Sequence, residues 1–145
     1  FSRLGEALAA SGNGVHRINF NGGDKLYWQI PGAIDYRGNL DKWPRFLARV
    51  LAQRNITDIL LFGDCRPLHS VAIAVASRVG VKVHVFEEGY VRPDFVTLEA
   101  GGVNGHSRLS RSPDHYLEAA RELPPLPDFP PMPSSFRRRQ GRSRL

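Results

Sequence analysis

Residues 81–93 constrain the fold of this chain more than any other stretch. The first part alternates valines with polar and aromatic residues, as a β-strand does when one face is buried. Three valines share that face: Val81, Val83 and Val85. A helical stretch that ends at Gly80 comes directly before, and a helix followed at once by a strand is typical of a parallel sheet. We therefore predict a strand that ends at Glu87 in an α/β sheet.

Polar residues follow this strand where it ends. Glu87 and Glu88 are adjacent carboxylates, Gly89 would let the backbone approach a ligand, and Arg92 could bind a carboxylate or phosphate. Ligands of open α/β sheets bind beyond the carboxyl ends of the strands. Because neighbouring carboxylates repel, one could hold its proton near neutral pH and act as a general acid or base. The alternative is a solvated loop whose glutamates cap a neighbouring helix.

Two further turns follow predicted strands. In residues 63–67 (GDCRP), Gly63 comes before a helix whose first N–H groups suit a phosphate or carboxylate. Asp64 would repel an anion there, so it could instead cap the helix or bind sugar hydroxyls. Residues 21–24 (NGGD) lack the lysine and the spacing of a phosphate-binding P-loop, so a simple turn is favoured there.

Alternating helices and strands predict the fold class. Apolar spacings of three and four predict helices over residues 1–10, 41–51, 68–79 and 112–122, with Asp41 as an N-cap. Apolar and β-branched runs predict strands over 15–20, 58–62 and 81–87, with short extended pieces over 33–37 and 95–98. This order predicts an α/β, Rossmann-like three-layer domain with a mostly parallel sheet. Because a strand would normally precede the first helix, we expect residues to be missing before Phe1.

Charge and proline content separate the end of the chain from its body. Five arginines lie between residues 137 and 144, and without them the other 15 basic residues nearly balance the 14 acidic ones. The body therefore has no electrostatic footprint for nucleic acid, although the basic tail could contact an anionic inner membrane. Six of the eleven residues 123–133 are proline. We predict a domain over 1–123, followed by a proline-rich arm and arginine-rich tail over 124–145.

Cysteine and histidine give weaker signals. Cys65 and His69 lie four residues apart, but two groups do not make a zinc site, so no metal is expected. A single cysteine excludes an internal disulfide and fits a reducing compartment. No apolar run approaches the ~20 residues that cross a bilayer, so a cytoplasmic domain is expected. The pattern around His106 indicates no role for it.

Five segments together resemble a known family. They are residues 17–24 (RINFNGGD), 61–67 (LFGDCRP), 83–94 (VHVFEEGYVRPD), 97–99 (TLE) and 102–105 (GVNG). In this order they resemble the capsule polysaccharide synthesis family of Gram-negative bacteria, of the KpsS type. The resemblance extends from the first residue to about Glu122. It implies a glycosyltransferase that moves Kdo, an eight-carbon acidic sugar, from CMP-Kdo to a lipid or glycan acceptor, with retention to a β-linkage and without a metal or other cofactor.

The resemblance also implies roles for individual residues. Glu87 and Glu88 resemble the family's catalytic acidic pair, with Glu87 as the acid/base or charge-stabilising residue. The residues expected to bind substrate are Asp64, Arg66, Arg92, Tyr90, Asn21, Gly22 and Gly23. Arg92 could neutralise the carboxylate of Kdo.

The resemblance further implies the GT-B architecture, which consists of two Rossmann-like halves around a cleft. This chain would supply the N-terminal half, so we expect it to be inactive alone and to need a second domain. Exposed apolar edges favour self-association into a homo-oligomer. The alternative function is a non-catalytic module that binds a glycan or nucleotide, or that serves as a scaffold in capsule export.

Overall fold

The computed structural model describes residues 1–28, 30–90 and 95–125. The described chain is α/β with mostly parallel strand pairing, which confirms the predicted fold class and is consistent with a Rossmann-like domain. It divides into two compact units, Phe1–Lys42 and Trp43–Leu145, called here the first and second units. The proline-rich arm beyond residue 125 and the arginine-rich tail lie outside the described residues. The predicted boundary at residue 123 stays a prediction.

The described part of the first unit contains two α-helices and two short strands. Helix α1 (Ser2–Ala10) is followed by β1 (Ile18–Asn19), α2 (Gly22–Tyr27) and β2 (Ile34–Asp35). Strands β1 and β2 are parallel, with Ile18 opposite Ile34. Gly5 of α1 is buried because the Trp28 ring packs against it and leaves no space for a side chain. Both strands are shorter than predicted, since the sequence predicted extended segments over residues 15–20 for β1 and 33–37 for β2.

The turn predicted at residues 21–24 is instead the start of α2. Asn21 has an extended backbone and accepts a hydrogen bond from Asp24 N–H through its side-chain oxygen at 3.0 Å. This is the N-cap interaction that starts a helix, and it outweighs the turn preference of two glycines. Gly22 and Gly23 therefore form the first helical residues of α2.

Within its described residues, the second unit contains a three-stranded sheet and three helices. Its elements in chain order are α3 (Trp43–Gln53), β3 (Asp58–Phe62), α4 (Pro67–Val79), β4 (Lys82–Glu88), β5 (Val96–Ala100) and α5 (Pro113–Glu122). The strand order is β3-β4-β5, with β3 and β4 parallel. Strand β5 pairs antiparallel with β4, which the residue pattern did not predict. The described residues also form 3₁₀ turns at Leu40–Lys42, which ends the first unit, and at Asn104–His106 in the second unit.

The alternation of valines in β4 places one face of this sheet in the core. Val83, Val85, Ala76 and Val103 form a buried cluster, and Ile59, Leu61 and Ile73 pack against it. The opposite face carries large apolar side chains that remain exposed: Leu60 and Phe62 from β3, and Val96 and Leu98 from β5. The cluster fixes β4 against α4 and so sets the position of the strand's carboxyl end.

The ends of α4 follow sequence signals, whereas the start of α3 does not. Pro67 is in the first turn of α4, and Gly80 ends this helix at φ 75°, a conformation that favours glycine. Asp41 was predicted to cap α3, which is wrong, because Asp41 lies inside a 3₁₀ turn and α3 begins at Trp43. The side chain of Asn39 instead accepts the Lys42 N–H at 3.2 Å.

No helix in the described part of the chain is both long enough and apolar enough to cross a membrane.

Candidate functional site at the carboxyl ends of β3 and β4

The turn after β3 lies directly beside the end of β4. Gly63 adopts φ 74°, which favours glycine, and its N–H donates to the Phe86 carbonyl of β4 at 2.8 Å. The Gly63 carbonyl oxygen lies 2.8 Å from Nδ1 of His69 on α4. These contacts hold the turn between the two strands and the helix. The residues after Gly63 therefore face the sheet edge at which ligands of α/β folds bind.

Asp64 is the buried carboxylate of this turn, with only 4% of its surface exposed. One oxygen, Oδ2, accepts the Val103 N–H at 2.9 Å, and the other, Oδ1, accepts the Cys65 thiol at 3.1 Å. The prediction that Asp64 caps the following helix is wrong. The N-cap position of α4 belongs to Arg66, which makes no side-chain cap hydrogen bond. Asp64 instead ties the β3 turn to the segment after β5.

His106 joins Asp64 from that segment. Its Nδ1 lies 3.1 Å from Asp64 Oδ2. Gly102 permits this approach, because a methyl group there would lie 2.7 Å from His106 Cβ and 3.3 Å from Asp64 Oδ2. The residue pattern indicated no role for His106, since the contact joins residues 42 positions apart. The only local signal was the glycine-rich segment 102–105 that comes before it.

Ionisation at this turn follows from these contacts. Burial is the largest single effect on Asp64 and raises its pKa. The hydrogen bonds from Val103, Cys65 and His106 together lower the pKa by more than burial raises it, so the net pKa lies below the ordinary value of 3.8. The hydrogen bond to Asp64 raises the pKa of the Cys65 thiol, and the negative charges of Asp64 and Glu87 raise it too. At neutral pH the turn therefore presents a carboxylate beside a protonated thiol.

Glu87 borders the same turn. A methyl group in place of the Gly63 hydrogen would lie 3.7 Å from Glu87 Oε2, while Glu87 Oε1 accepts the Glu88 N–H at 2.9 Å. The strand continues through Glu88, one residue beyond the predicted end. Successive side chains of a strand point to opposite faces. Glu87 is half-buried on the face of Val85, and Glu88 is exposed on the other face, so the two carboxylates do not act as a facing pair.

Glu99 is a further carboxylate on the Glu87 face of the sheet. It lies opposite Val85 in β5, and its Oε2 accepts the Ser107 hydroxyl. Its Oε1 is buried and has no hydrogen-bond partner among the described residues. The sequence indicated Glu99 only through the family resemblance, because the antiparallel pairing that brings it beside β4 was not predicted.

The remaining predicted residues of this edge are less closely placed. Arg66 is exposed at the start of α4, and Tyr90 is exposed just beyond β4. Arg92 lies outside the described residues. Gly89 was expected to admit a ligand, but its N–H donates to the Phe95 carbonyl at 3.0 Å, and a side chain at Gly89 would collide with that carbonyl. Gly89 is therefore needed for the close approach of its backbone to Phe95, just before β5.

Asn21 and Gly22 line a separate cleft of about 210 Å³ within the first unit. Three polar groups meet at its wall. Asn19 is buried and donates to Asp35 Oδ1 at 3.1 Å, and Lys25 Nζ lies 3.1 Å from Asp35 Oδ2. The hydrogen bonds from Asn19 and Lys25 lower the pKa of Asp35. Gly23 lies next to this wall in α2 and is not among the lining residues.

Two side chains of the β3 turn and one from the segment after β5 could together hold a metal ion. One ligand atom each from Asp64, Cys65 and His106 lie within 4.8 Å of one another, and no other such group of three occurs among the described residues. Oxygen, sulfur and nitrogen donors of this kind suit zinc. The thiol and Nδ1 are both hydrogen-bonded to the carboxylate, so an ion would have to displace those protons.

Comparison with known proteins identifies a family and two kinds of relatives. The family described as "Capsule polysaccharide biosynthesis protein" matches residues 57–139, more than half of the chain. The chain is 41% identical over 127 residues to the capsule polysaccharide export protein KpsS of Escherichia coli, covering 88% of this chain and 32% of that protein. It is 39% identical over 125 residues to the capsule polysaccharide modification protein LipB of Neisseria meningitidis serogroup A, covering 85% and 30%.

The chain therefore spans about a third of the length of the curated relatives it matches. No solved structure matches it. The match to the family contains β3, β4 and β5 with the turn that holds Asp64.

Proposed function

Since this chain belongs to the capsule polysaccharide biosynthesis protein family, we propose that it forms one domain of a glycosyltransferase that moves Kdo from CMP-Kdo to a lipid acceptor. One observation carries the proposal. Glu87, a half-buried carboxylate, borders the Gly63–Asp64 turn at the carboxyl ends of two parallel strands. Sugar-transfer sites place carboxylates beside the reacting carbon, and α/β folds bind ligands at this edge.

Glu87 acts in this proposal as the charge-stabilising carboxylate. Positive charge develops on the sugar ring as the bond to the leaving group breaks, and a fixed negative charge nearby stabilises that state. Asp64 is the less suitable group, because its oxygens already accept hydrogen bonds from Val103, Cys65 and His106. Glu87 Oε1 accepts the Glu88 N–H, and Oε2 is the oxygen that lies beside the turn.

Arg66 is the proposed counter-charge for the donor. It is exposed at the start of α4, a helix of 13 residues whose first N–H groups also favour an anion. CMP-Kdo carries a phosphate and a sugar carboxylate, and a guanidinium can bind either through two parallel hydrogen bonds. Tyr90 and Arg92 would complete the sugar site.

The remaining parts of the donor site are proposed to come from a second domain. The chain spans about a third of each relative, and GT-B transferases bind the sugar nucleotide between two domains. Transfer therefore requires that partner domain, whereas this chain contributes Glu87 and the acceptor side of the cleft.

A domain replacement tests the proposal. In the chimera, this chain replaces the region that it matches in the Escherichia coli relative, and transfer of labelled Kdo from CMP-Kdo to a lipid acceptor is measured. We expect the chimera to transfer Kdo, and Glu87→Gln to reduce kcat by about 100-fold or more, because the amide carries no negative charge. The matched control is Glu118→Gln on the exposed face of α5, which should leave kcat unchanged.

Unchanged transfer by the Glu87→Gln chimera, with circular dichroism like that of the parent, would contradict the assignment. A chimera that binds CMP-Kdo in calorimetry but never transfers the sugar would instead favour a non-catalytic binding module.

A further inference from the structure

The Asp64–His106 contact has the geometry of a base held by a carboxylate. Asp64 is almost fully buried, and its Oδ2 is fixed by the Val103 N–H at 2.9 Å. His106 Nδ1 lies 3.1 Å from the same oxygen, while 68% of the His106 side chain is exposed. The carboxylate is thus inside the protein, and the imidazole lies between it and solvent. Among the described residues, His106 Nε2 has no hydrogen-bond partner.

The direction of this hydrogen bond decides which nitrogen of His106 is basic. An ionised carboxylate can only accept hydrogen bonds, and the contacts around Asp64 keep it ionised at neutral pH. Nδ1 must therefore carry the proton that it donates to Asp64. In a neutral imidazole the other nitrogen, Nε2, then holds the lone pair. The buried carboxylate thus turns His106 into a base whose free lone pair is on the exposed side of the ring.

We propose that His106, oriented by Asp64, is the general base that takes the proton of the acceptor hydroxyl. This inference rests on the proposed sugar transfer. In the step, the acceptor O–H bond breaks and its proton goes to Nε2. The oxygen uses the released electron pair to form the new bond to the anomeric carbon. The hydroxyl enters on the face from which the CMP phosphate departs, so the configuration at that carbon is retained, and the breaking bond leaves its electron pair on the phosphate oxygen of CMP.

The surroundings of His106 fit this step. The titratable groups of the turn are Asp64, Cys65 and Arg66. Glu87 of β4 lies beside Gly63, and the guanidinium of Arg108 lies beside Gly101, where a methyl group would be 3.4 Å from its Cζ. Glu87 borders Gly63, whose neighbour Asp64 holds the imidazole. The charge-stabilising carboxylate and the base therefore flank one turn, as a sugar and its incoming hydroxyl require. Asp64 touches neither substrate and is a positioning residue.

A first experiment tests the proton arrangement on this chain alone. Nitrogen NMR of the chain with ¹⁵N-labelled histidine, recorded at mildly alkaline pH, should show His106 as the Nδ1–H tautomer, with His106→Gln assigning the signals. Asp64→Asn should shift His106 away from that tautomer, because an amide no longer demands the proton. An Nε2–H tautomer in the parent chain, or zinc bound through Nδ1 at stoichiometric metal, would overturn the proposal.

A second experiment measures transfer in the chimera. His106→Gln should lower kcat by about 100-fold or more with a much smaller change in KM. Added imidazole should restore part of the rate in His106→Gly. The matched control is His115→Gln on exposed α5.

The outcomes separate the two proposals. If Glu87→Gln abolishes transfer while His106→Gln does not, sugar transfer stands and the base assignment fails. If neither variant changes the rate, or the chimera never transfers the sugar, both proposals fail.

Discussion

At the scale of single residues, Asp64 shows how burial and ionisation coexist. Removing a carboxylate from water disfavours its charged form, but hydrogen bonds that stabilise the anion reverse the effect. Asp64 accepts one from the backbone of Val103, one from Cys65 and one from His106. The residue at a tight turn thus becomes the centre of a polar network that connects β3 to the segment after β5.

The reactivity of Cys65 reports this network. The hydrogen bond and negative charge of Asp64 raise the thiol pKa, so the reactive thiolate should form only at higher pH than in an ordinary cysteine. Asp64→Asn removes the charge, and we expect alkylation by iodoacetamide at pH 8 to become several-fold faster, with its pH profile shifted to lower pH. The matched control is Asp58→Asn, at the other end of β3. Coincident profiles for the parent and Asp64→Asn would contradict the network.

Asp64 and Glu87 could be selected from the sequence, because each lies at the end of a recognisable strand and close to a glycine that marks a turn. The hydrogen-bond partners and ionisation of Asp64 and Glu87 could not be predicted from the sequence. Asp64 was expected to cap α4 or bind sugar, and its partners lie 39 and 42 residues away. Glu87 and Glu88 both belong to β4, so their side chains alternate across the sheet and lie on opposite faces. Their predicted catalytic roles stay predictions.

At the scale of elements, β4 organises the second unit. It pairs with β3 on one side and β5 on the other, and its valines fill the core against α4. Apolar alternation predicted this strand, and Pro67 and Gly80 predicted the ends of α4. The antiparallel pairing of β5 was not predictable from periodicity, because a short run of alternating residues has the same pattern in either direction.

Two valines of this sheet provide a matched stability test. Val85 is fully buried, whereas Val96 in β5 is exposed. Val85→Ala should lower the free energy of unfolding by about 2 kcal/mol, because it removes two buried methyl groups and leaves a small cavity. Val96→Ala should change it by less than about 0.5 kcal/mol. Urea unfolding followed by far-UV circular dichroism measures both, and equal effects would mean that the core is not built around β4.

At the scale of the whole molecule, charge is segregated along the chain. The formal net charge is +6, and five arginines between residues 137 and 144 account for nearly all of it. Basic residues near an anionic membrane contribute about 1 kcal/mol each, and this attraction is screened by salt. The tail, rather than the α/β body, is therefore where contact with a membrane is predicted.

Deleting residues 134–145 tests that prediction. The 145-residue chain should co-sediment with vesicles that contain phosphatidylglycerol, and binding should weaken as salt is raised. The deleted chain should bind these vesicles much less, and neither chain should bind vesicles of phosphatidylcholine alone. Retained binding after the deletion would assign the contact to the body of the protein.

The sequence by itself determined the α/β class, the β3–α4–β4 order, the buried valine face and the sheet edge that carries Asp64 and Glu87. These follow from contacts between residues close in the chain, where helix and strand periods and the preferences of proline and glycine decide the outcome. Only the tertiary structure decided that β5 turns back along β4 and that His106 meets Asp64. Those contacts join distant residues, and they depend on how the chain closes its loops and buries a shared core.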